Sequence, residues 1–458
     1  MPAETAIVLA AGQGRRMWPF GDVRNKCALP VGGVPVVRRI IDGLAAVGVR
    51  RAVVVLGQHA GSVRAALLGA PIPIAFAQQP RPGGTAEAAL AGLAQVDDDE
   101  FMIVYGDTAL TPESLRAVRE ADGPAALVQP LEPPRRPQEW IGAFVEGGAL
   151  AGVEGHGRDA RHRLCGVFAL DRRIVPFLEA NPGLMTSVPV GGMPPAEAEL
   201  AESLQRFIDA GNPVAAIAPQ GYVVDLDKPW HILEANAQQI RYAVATLTES
   251  RIHPTARVHD GAEIAGHVVL GPDSVIGNRV VISGNLVVGA GTQVTNGAIV
   301  QGHAQIGDRS RVSDYCLVDE LTTIGSRCVV GHGAEMSGVQ FDGAYLWHYC
   351  EIYGVVGQSV DIGAATVCGT LRFDDGTTVH RIGGGGRREL PEWGGNATYF
   401  GDFCRTGVNV ITQPGVKIGA YSCVGAGVLV AEDVPSRTLR LLKQETVDRP
   451  WGPERYGW

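Results

Sequence analysis

The sequence lacks the features of several protein classes. Its 458 residues contain no dense run of Lys and Arg and carry a formal net charge of −9, so a nucleic-acid polymer is not an expected partner. It has no signal-peptide pattern and no run of 18 apolar residues, so no membrane association is expected. The eight cysteines form no Cys-x-x-Cys pair, which indicates small apolar side chains in a reducing compartment. We therefore expect a cytoplasmic protein.

Short apolar runs alternate with helical stretches over residues 1–225. The runs predicted as buried parallel strands are Ala6–Ala11, Ala52–Leu56, Ile72–Ala77 and Phe101–Tyr105, and the predicted helices are Val34–Val47 and Thr85–Leu93. This alternation is typical of a Rossmann-like α/β sheet with crossover helices. Pro229–Thr248 is rich in Ala and has no internal Pro or Gly, which predicts a linking helix.

A six-residue repeat begins at Ile252. The aliphatic positions are Ile252, Val258, Ile264, Leu270, Ile276, Ile282, Val288, Val294, Val300, Ile306, Val312, Val318, Ile324, Val330 and Met336. Three such six-residue faces would form one triangular coil of a β-helix, with one aliphatic side chain per face pointing inward and coils stacking on each other. The register slips between Met336 and Val356, is interrupted by a loop at 371–398, and returns from Phe400 to Val430.

These patterns predict an order of parts along the chain. A Rossmann-like domain spans residues 1–228, a linking helix 229–250, the β-helix 251–435 and a tail outside the repeat 436–458. The repeat resembles the hexapeptide-repeat family, which implies a left-handed parallel β-helix. The same resemblance implies assembly as a homotrimer or a dimer of trimers.

A Gly-rich turn follows the first predicted strand. Because glycine has no Cβ, the backbone N–H groups of such a turn can approach phosphate oxygens, and Arg16 can add a fork of donors. Gly12-x-Gly14-x-Arg16-Met17, followed by Lys26 and by Pro-Val-x-Gly-x-Pro at 30–35, resembles the signature of sugar-1-phosphate nucleotidylyltransferases. The resemblance implies that Arg16 and Lys26 are catalytic. It also implies a nucleotide site formed by Leu9, Ala11, Gly12 and Gly14.

Further segments match the same family in order. Gln79, Gly84 and Thr85 fall in the segment that holds the nucleobase and ribose. Asp107 closes a predicted strand and Asp225 lies in the later segment, at the positions where the family holds Mg²⁺; Asp225 aligns better than Asp227. Two carboxylates suit Mg²⁺, which prefers few protein oxygens together with substrate phosphates.

The predicted sugar pocket departs from the family pattern. Gly142 and Glu154 fall in segments that line the sugar in the family, with Glu154 placed to accept a hydrogen bond from a hydroxyl. The family's Asn-x-Gly is replaced by Leu164-Cys165-Gly166, so the identity of the sugar is left open. The implied reaction joins a sugar 1-phosphate to an NTP with release of pyrophosphate. Ala10-Ala11 in the turn resembles uridylyl- and some thymidylyltransferases, which implies a preference for UTP or dTTP.

Residues 360–366 and 370–375, and Lys443-Gln444 in the tail, match segments of a second group of enzymes. In these segments and in its overall order of parts, the chain resembles bifunctional enzymes that acetylate and uridylylate an amino-sugar phosphate. The resemblance implies a second site, and whether an acyl-CoA binds there is left open. The site would include His348, Tyr349, Asp361 and Arg387. The family's catalytic His falls at Trp347, one position before His348, which argues against efficient acetyl transfer. The alternatives to a single nucleotidylyltransferase activity are this bifunctional enzyme and a scaffold without catalysis.

Overall fold

The computed structural model describes residues 2–132, 139–155, 159–183, 197–382 and 387–452. The strands of the first half are β1 (Thr5–Ala10), β2 (Pro30–Val31), β3 (Val34–Pro35), β4 (Arg51–Leu56), β5 (Ile74–Gln78), β6 (Glu100–Tyr105), β7 (Thr108–Leu110), β8 (Ala125–Pro130), β9 (Ile141–Glu146), β10 (Ala149–Gly155), β11 (His162–Asp171), β12 (Ala215–Ile217) and β13 (Val223–Asp225). The helices are α1 (Val36–Ala46), α2 (Ala60–Ala66), α3 (Thr85–Leu93), α4 (Pro112–Arg119), α5 (Val175–Glu179), α6 (Leu200–Asp209) and α7 (Pro229–Ala243). None of the described helices is long and apolar enough to cross a membrane.

A mixed sheet forms the centre of the first half, in the order β5-β4-β1-β6-β11-β8-β12-β10-β9. Its β5-β4-β1-β6 part is parallel and its core strands are continuous apolar runs, as predicted for a sheet covered on both faces. Parallel strands place their carboxyl ends at one edge, so the turn after β1 lies next to the turn after β6. The backbone N–H of Gly106 donates to the carbonyl of Leu9 across this edge (2.9 Å).

The second half is the predicted left-handed parallel β-helix. Its strands are β14 (Arg251–Ile252), β15 (Arg257–Val258), β16 (Glu263–Ile264), β17 (Val268–Leu270), β18 (Val275–Ile276), β19 (Val281–Ile282), β20 (Leu286–Val288), β21 (Gln293–Thr295), β22 (Ile299–Val300), β23 (Ala304–Ile306), β24 (Arg311–Ser313), β25 (Leu317–Val318), β26 (Thr322–Ile324), β27 (Val329–Val330), β28 (Glu335–Gln340), β29 (Tyr345–Leu346), β30 (Glu351–Val356), β31 (Asp361–Ile362), β32 (Val367–Cys368), β33 (His380–Arg381), β34 (Arg388–Glu389), β35 (Thr398–Phe400), β36 (Arg405–Thr406), β37 (Ile411–Thr412), β38 (Lys417–Ile418), β39 (Cys423–Val424), β40 (Leu429–Val430) and β41 (Leu439–Arg440). Ile252 pairs in register with Leu270, and Val258 pairs with Ile276. Each coil therefore stacks its inward aliphatic side chains on those of the next coil.

The slip in the repeat has a structural cause at two shortened corners. β28 and β30 each run without a turn through a corner where other coils have one, so Ser326 bonds to Asp342 only 16 residues away rather than 18. The corner residues are Gly338 (φ 114°) and Gly354 (φ 150°). A Cβ on Gly354 would lie 1.9 Å from the carbonyl oxygen of Thr398, so only glycine fits there.

Helix α7 packs against this shortened corner. It was predicted over 229–248 and ends at Ala243. Its Leu233 shares one hydrophobic cluster with Val339 and Tyr399 of the β-helix and with the apolar core under the sheet. The helix is therefore an internal packing element between the two halves, and the division of the chain at 228/229 stays a proposal.

Two predicted boundaries in the second half differ from the structure. Part of the loop at 371–398 folds as an antiparallel hairpin of β33 and β34, whose connecting residues 383–386 lie outside the described residues. The tail was predicted to lie outside the repeat from residue 436. This prediction is wrong for the first residues of the tail, which still pair with the β-helix. Leu439–Arg440 pairs in parallel with Cys423–Val424, because a strand there continues the backbone ladder of the last coil.

Candidate active site

The Gly-rich turn is held in shape by Asn25, which lies almost completely buried beneath it. The Asn25 side-chain amide donates to the carbonyls of Ala10 (3.1 Å), Gly12 (3.2 Å) and Gln58 (3.0 Å). Its oxygen accepts from the backbone N–H of Cys27 (2.9 Å) and caps the short 3-10 turn that begins at Lys26. One side chain therefore fixes both the turn and the position of Lys26.

Lys26, Asp107 and Asp225 meet at the carboxyl edge of the sheet. The Lys26 ammonium forms an ion pair with the Asp107 carboxylate. Asp225 joins them because β13 pairs antiparallel with β7, which sets Asp225 opposite Thr108. Burial, reinforced by the Asp107 charge, raises the pKa of Asp225 to about 7. Burial alone would lower the pKa of Lys26, but the surrounding carboxylates, Asp107 foremost, hold it above its ordinary value.

Arg16 reaches the same cluster through Asp227. Its guanidinium lies 2.8 Å from the Asp227 carboxylate, and its side chain keeps 44% exposure, which leaves it open to a ligand. Burial raises the pKa of Asp227, but the Arg16 and Lys26 charges outweigh this and hold it below its ordinary value. The structure thus brings together the four predicted residues Arg16, Lys26, Asp107 and Asp225, and their roles stay predictions.

The predicted nucleobase segment is hydrogen-bonded to the residues at the start of α6. The Gln79 side-chain amide donates to the carbonyl of Gly84 (3.1 Å). The Thr85 hydroxyl donates to the Glu199 carboxylate (2.7 Å) and accepts from the N–H of Leu200 (2.7 Å). These bonds join the segment to the chain at Glu199 and Leu200, and the predicted nucleotide contacts of Gln79, Gly84 and Thr85 stay predictions.

The predicted sugar side lies on β9 and β10, where Gly142 and the exposed Glu154 are register partners. Sequence reasoning missed Arg163, which precedes the altered Leu164-Cys165-Gly166 segment. Its guanidinium is 1% exposed, lies 4.0 Å from the centre of the Trp140 ring and donates to Gln129 (2.8 Å). It also stabilises the Asp225 carboxylate electrostatically. A buried cation therefore lies beside this pocket, where the family's amide is missing.

Residues 6–255 match the MobA-like NTP transferase domain, which is more than half of the chain. The chain belongs to the MobA-like NTP transferases. Residues 246–368 match the GMPPB C-terminal domain.

Several curated relatives of this NTP transferase extend over almost its whole length, and others match a part of it. It is 28% identical over 450 residues to the bifunctional protein GlmU of Methanococcus maripaludis, covering 96% of this chain and 98% of that one. It is 26% identical over 458 residues to the bifunctional sugar-1-phosphate nucleotidylyltransferase/acetyltransferase of Sulfurisphaera tokodaii, covering 94% and 98%. A glucose-1-phosphate thymidylyltransferase of Streptomyces antibioticus is 26% identical over 282 residues, covering 60% and 74%.

The β-helix of the NTP transferase contributes a carboxylate that the sequence did not reveal. Glu389, on the hairpin, lies 2.7 Å from the ammonium of Lys228, and these side chains are 4% and 2% exposed. Lys228 in turn lies 3.7 Å from the second oxygen of Asp227, the partner of Arg16. Glu389 and Lys228 are far apart in sequence and follow no periodicity, so no sequence pattern could have joined them.

Residues of the predicted second site occur in different surroundings. His348 and Tyr349 lie at one corner of the β-helix, where the Tyr349 hydroxyl is 3.2 Å from Nε2 of His332. Asp361 begins β31, in register with Tyr345 on one side and Arg405 on the other. Arg387 lies 2.7 Å from Glu389, at the hairpin that contacts the NTP transferase half. His332, which had no predicted role, is thus the contact partner at this corner.

Proposed function

We propose that the chain transfers a nucleotidyl group from an NTP, with UTP or dTTP favoured, to a sugar 1-phosphate. The observation that carries this is the Lys26–Asp107–Asp225 cluster beneath a Gly-rich turn, with Arg16 at its rim. The relatives whose names state sugar-1-phosphate nucleotidyl transfer support the choice of acceptor. A phosphate oxygen of the acceptor attacks the α-phosphorus, the bond from that phosphorus to the bridging oxygen breaks, and pyrophosphate departs with the electron pair.

The chain's residues stabilise charge during this displacement and need form no covalent intermediate. Lys26 supplies a buried ammonium where negative charge gathers. The planar Arg16 guanidinium can donate two parallel hydrogen bonds to the β- and γ-phosphates. To do so it must leave its ion pair with Asp227 when the nucleotide binds. Asn25 keeps the turn in place, which limits the misplacement of the reacting atoms.

The donor set fits Mg²⁺. The buried Asp107 and the half-buried Asp225 are neighbouring carboxylates, and the mutual repulsion that helps to raise the pKa of Asp225 favours a cation beside them. Within the described ranges no cluster of three or more His, Cys, Asp or Glu side chains forms a metal cage. Two carboxylates plus phosphate oxygens match the habit of this ion. When bound, Mg²⁺ supplies neutralisation of the phosphate charge.

The function is tested by a substrate panel. Each of the four common NTPs and dTTP is incubated with a set of sugar 1-phosphates, and pyrophosphate release is measured. Release that depends on both substrates supports the proposal and identifies base and sugar. Release with no pair, from a folded preparation, contradicts it.

Replacing Arg16 by lysine is expected to lower kcat/KM for the NTP by about 10- to 100-fold, because a single ammonium cannot reproduce a bidentate fork on phosphate. The measurement is steady-state pyrophosphate release. Arg51→Lys is the matched control, since Arg51 is also 44% exposed and ion-paired but lies at the start of β4. Equal kinetics for the two variants would mean that Arg16 does not bind phosphate.

The β-helix is proposed to assemble into a homotrimer or a dimer of trimers. One face exposes aliphatic side chains at Ile299, Ile411 and Leu429, whose strands stack on the same side of the coil. Light scattering is expected to give three or six times the 48.2 kDa of one chain. Ile411→Arg should reduce this mass, whereas Leu68→Arg, at an exposed apolar residue of the other half, should not. A single-chain mass for the wild type at micromolar concentration would contradict assembly.

Acetyl transfer is the second candidate function, because His348, Tyr349 and His332 lie together and two relatives are named as bifunctional. We expect slow thiol release from acetyl-CoA with amino-sugar phosphates, since the predicted base position is occupied by Trp347 and Tyr349 contacts His332. Rapid release that is lost in His348→Ala would establish the bifunctional enzyme instead.

A further inference from the structure

A polar cavity of about 400 Å³ lies between the Gly-rich turn and the last coil of the β-helix. Arg15 and His59 line it from the NTP transferase half, and Tyr421 and Arg437 line it from the β-helix. Its volume is within the usual range for sites that bind small molecules. The cavity is therefore lined both by the Gly-rich turn and by the last coil of the β-helix.

The walls of this cavity are tied together by specific contacts. Nε1 of Trp18 donates to the Ser436 hydroxyl (3.2 Å), which itself donates to the Asp22 carboxylate. Next to it, Nε of Arg24 donates to Asp402 (2.9 Å), a carboxylate with no exposed surface. A buried ion pair of this kind fixes the separation of the walls, so the cavity is a built feature of the fold.

The charges that line the cavity are mainly positive. Among the described residues, neither the Arg15 nor the Arg437 guanidinium has a carboxylate partner. Asp22 supplies one negative charge against these two guanidinium groups, so the lining keeps a net positive charge. The Arg437 guanidinium lies over the Tyr421 ring, 5.0 Å from its centre, in a cation–π contact. Guanidinium groups on both walls form a site for an anion with several oxygens.

This cavity lies on a different side of the turn from the catalytic cluster. Arg15 and Arg16 are consecutive in one 3-10 turn, in which successive side chains point about 120° apart. Arg16 contacts Asp227, whereas Arg15 lines the cavity. An anion bound by Arg15 would therefore affect the position of the 3-10 turn, and with it the position of the Arg16 side chain.

We propose that the cavity binds a phosphate-bearing anion between Arg15 and Arg437 and thereby acts on nucleotidyl transfer through the Gly-rich turn. The anion has two sources with the same chemistry. It is either the pyrophosphate that the proposed reaction releases or a separate phosphorylated metabolite that acts as an effector. The binding site itself does not depend on the proposed acceptor.

The binding test uses calorimetry on the full chain with inorganic phosphate as the probe. Saturable binding is expected for the wild type, and Arg437→Gln and Arg15→Gln should each weaken it by about 10- to 100-fold. Arg279→Gln is the matched control, because Arg279 is an exposed arginine with the same left-handed backbone (φ 59°) on an early coil. Its phosphate affinity should equal that of the wild type.

Three outcomes overturn the site: no saturable binding by the wild type, unchanged binding in Arg437→Gln, or loss of binding in Arg16→Lys with retention in Arg437→Gln. The last would assign the anion to the catalytic cluster. Kinetics separate the two sources. A higher KM for pyrophosphate in the reverse reaction of Arg437→Gln indicates a pyrophosphate route. An unchanged KM, with loss of the phosphate effect on rate, indicates an effector. An effect on neither overturns the action on transfer.

Discussion

Replacing Asp107 by alanine is expected to lower kcat by about 10²- to 10⁴-fold. The change removes one of the two carboxylates proposed to hold Mg²⁺ and leaves the Lys26 ammonium without its ion-pair partner. Asp107→Asn should lose less, because the amide oxygen remains a ligand. Turnover is measured by pyrophosphate release, and EDTA should abolish it in the wild type until Mg²⁺ is restored.

The matched control for this variant is Asp98→Ala. Asp98 is an ion-paired carboxylate with 43% exposure and contacts Thr5 at the amino end of β1, the opposite edge of the sheet. Its kcat should stay close to that of the wild type. Near-normal turnover in a folded Asp107→Ala protein would remove Asp107 from the proposed metal site.

Replacing Glu389 by alanine is expected to lower the free energy of unfolding by about 1–3 kcal/mol, because the buried Lys228 ammonium loses its closest partner and keeps only the more distant carboxylates of Asp227 (3.7 Å) and Glu139 (4.0 Å). The double variant Lys228→Met with Glu389→Met should regain most of this stability, since it removes both charges and keeps similar volumes. Urea unfolding of the full chain provides the measurement.

Glu4→Ala serves as the control for Glu389. Glu4 is also ion-paired, but it is 55% exposed and its partner Arg50 is 76% exposed, so the expected change is within about 0.5 kcal/mol. Equal stability of Glu389→Ala and Glu4→Ala would show that the hairpin does not pack against Lys228. A stable double variant with a raised KM for the NTP would indicate that Lys228 also positions Asp227 and Arg16.

The sequence predicted the parts of this fold whose signals are local. The six-residue spacing of aliphatic side chains identified the coils, because each coil repeats the same burial. Asp107 was predicted at the end of a strand from the family resemblance, and the structure places that strand end beside the turn after β1. The sequence did not predict the corners at Gly338 and Gly354. Each of these corners is two residues shorter than the others, which breaks the six-residue period on which the prediction depends.

The candidate site was predicted less completely than the fold. Lys26 and Asp225 belong to recognisable segments, whereas Arg163 and Glu389 belong to none. Their positions result from packing between distant parts of the chain. No role was predicted for Asn25, and the three hydrogen bonds that its side-chain amide donates became evident from the structure alone.

The contacts between the β-helix and the segment that follows the Gly-rich turn have a consequence for biosynthesis. Trp18 bonds to Ser436 and Arg24 to Asp402, across 418 and 378 residues of chain. A ribosome adds about 5–20 residues per second, so the segment proposed to bind phosphate emerges first but waits many seconds for its partners. The Rossmann-like sheet can collapse during that interval. The bonds of Trp18 and Arg24 to the β-helix form only after the last coils have been synthesised, so translation that stops before residue 402 would yield a nascent chain whose Gly-rich turn has only its local support from Asn25.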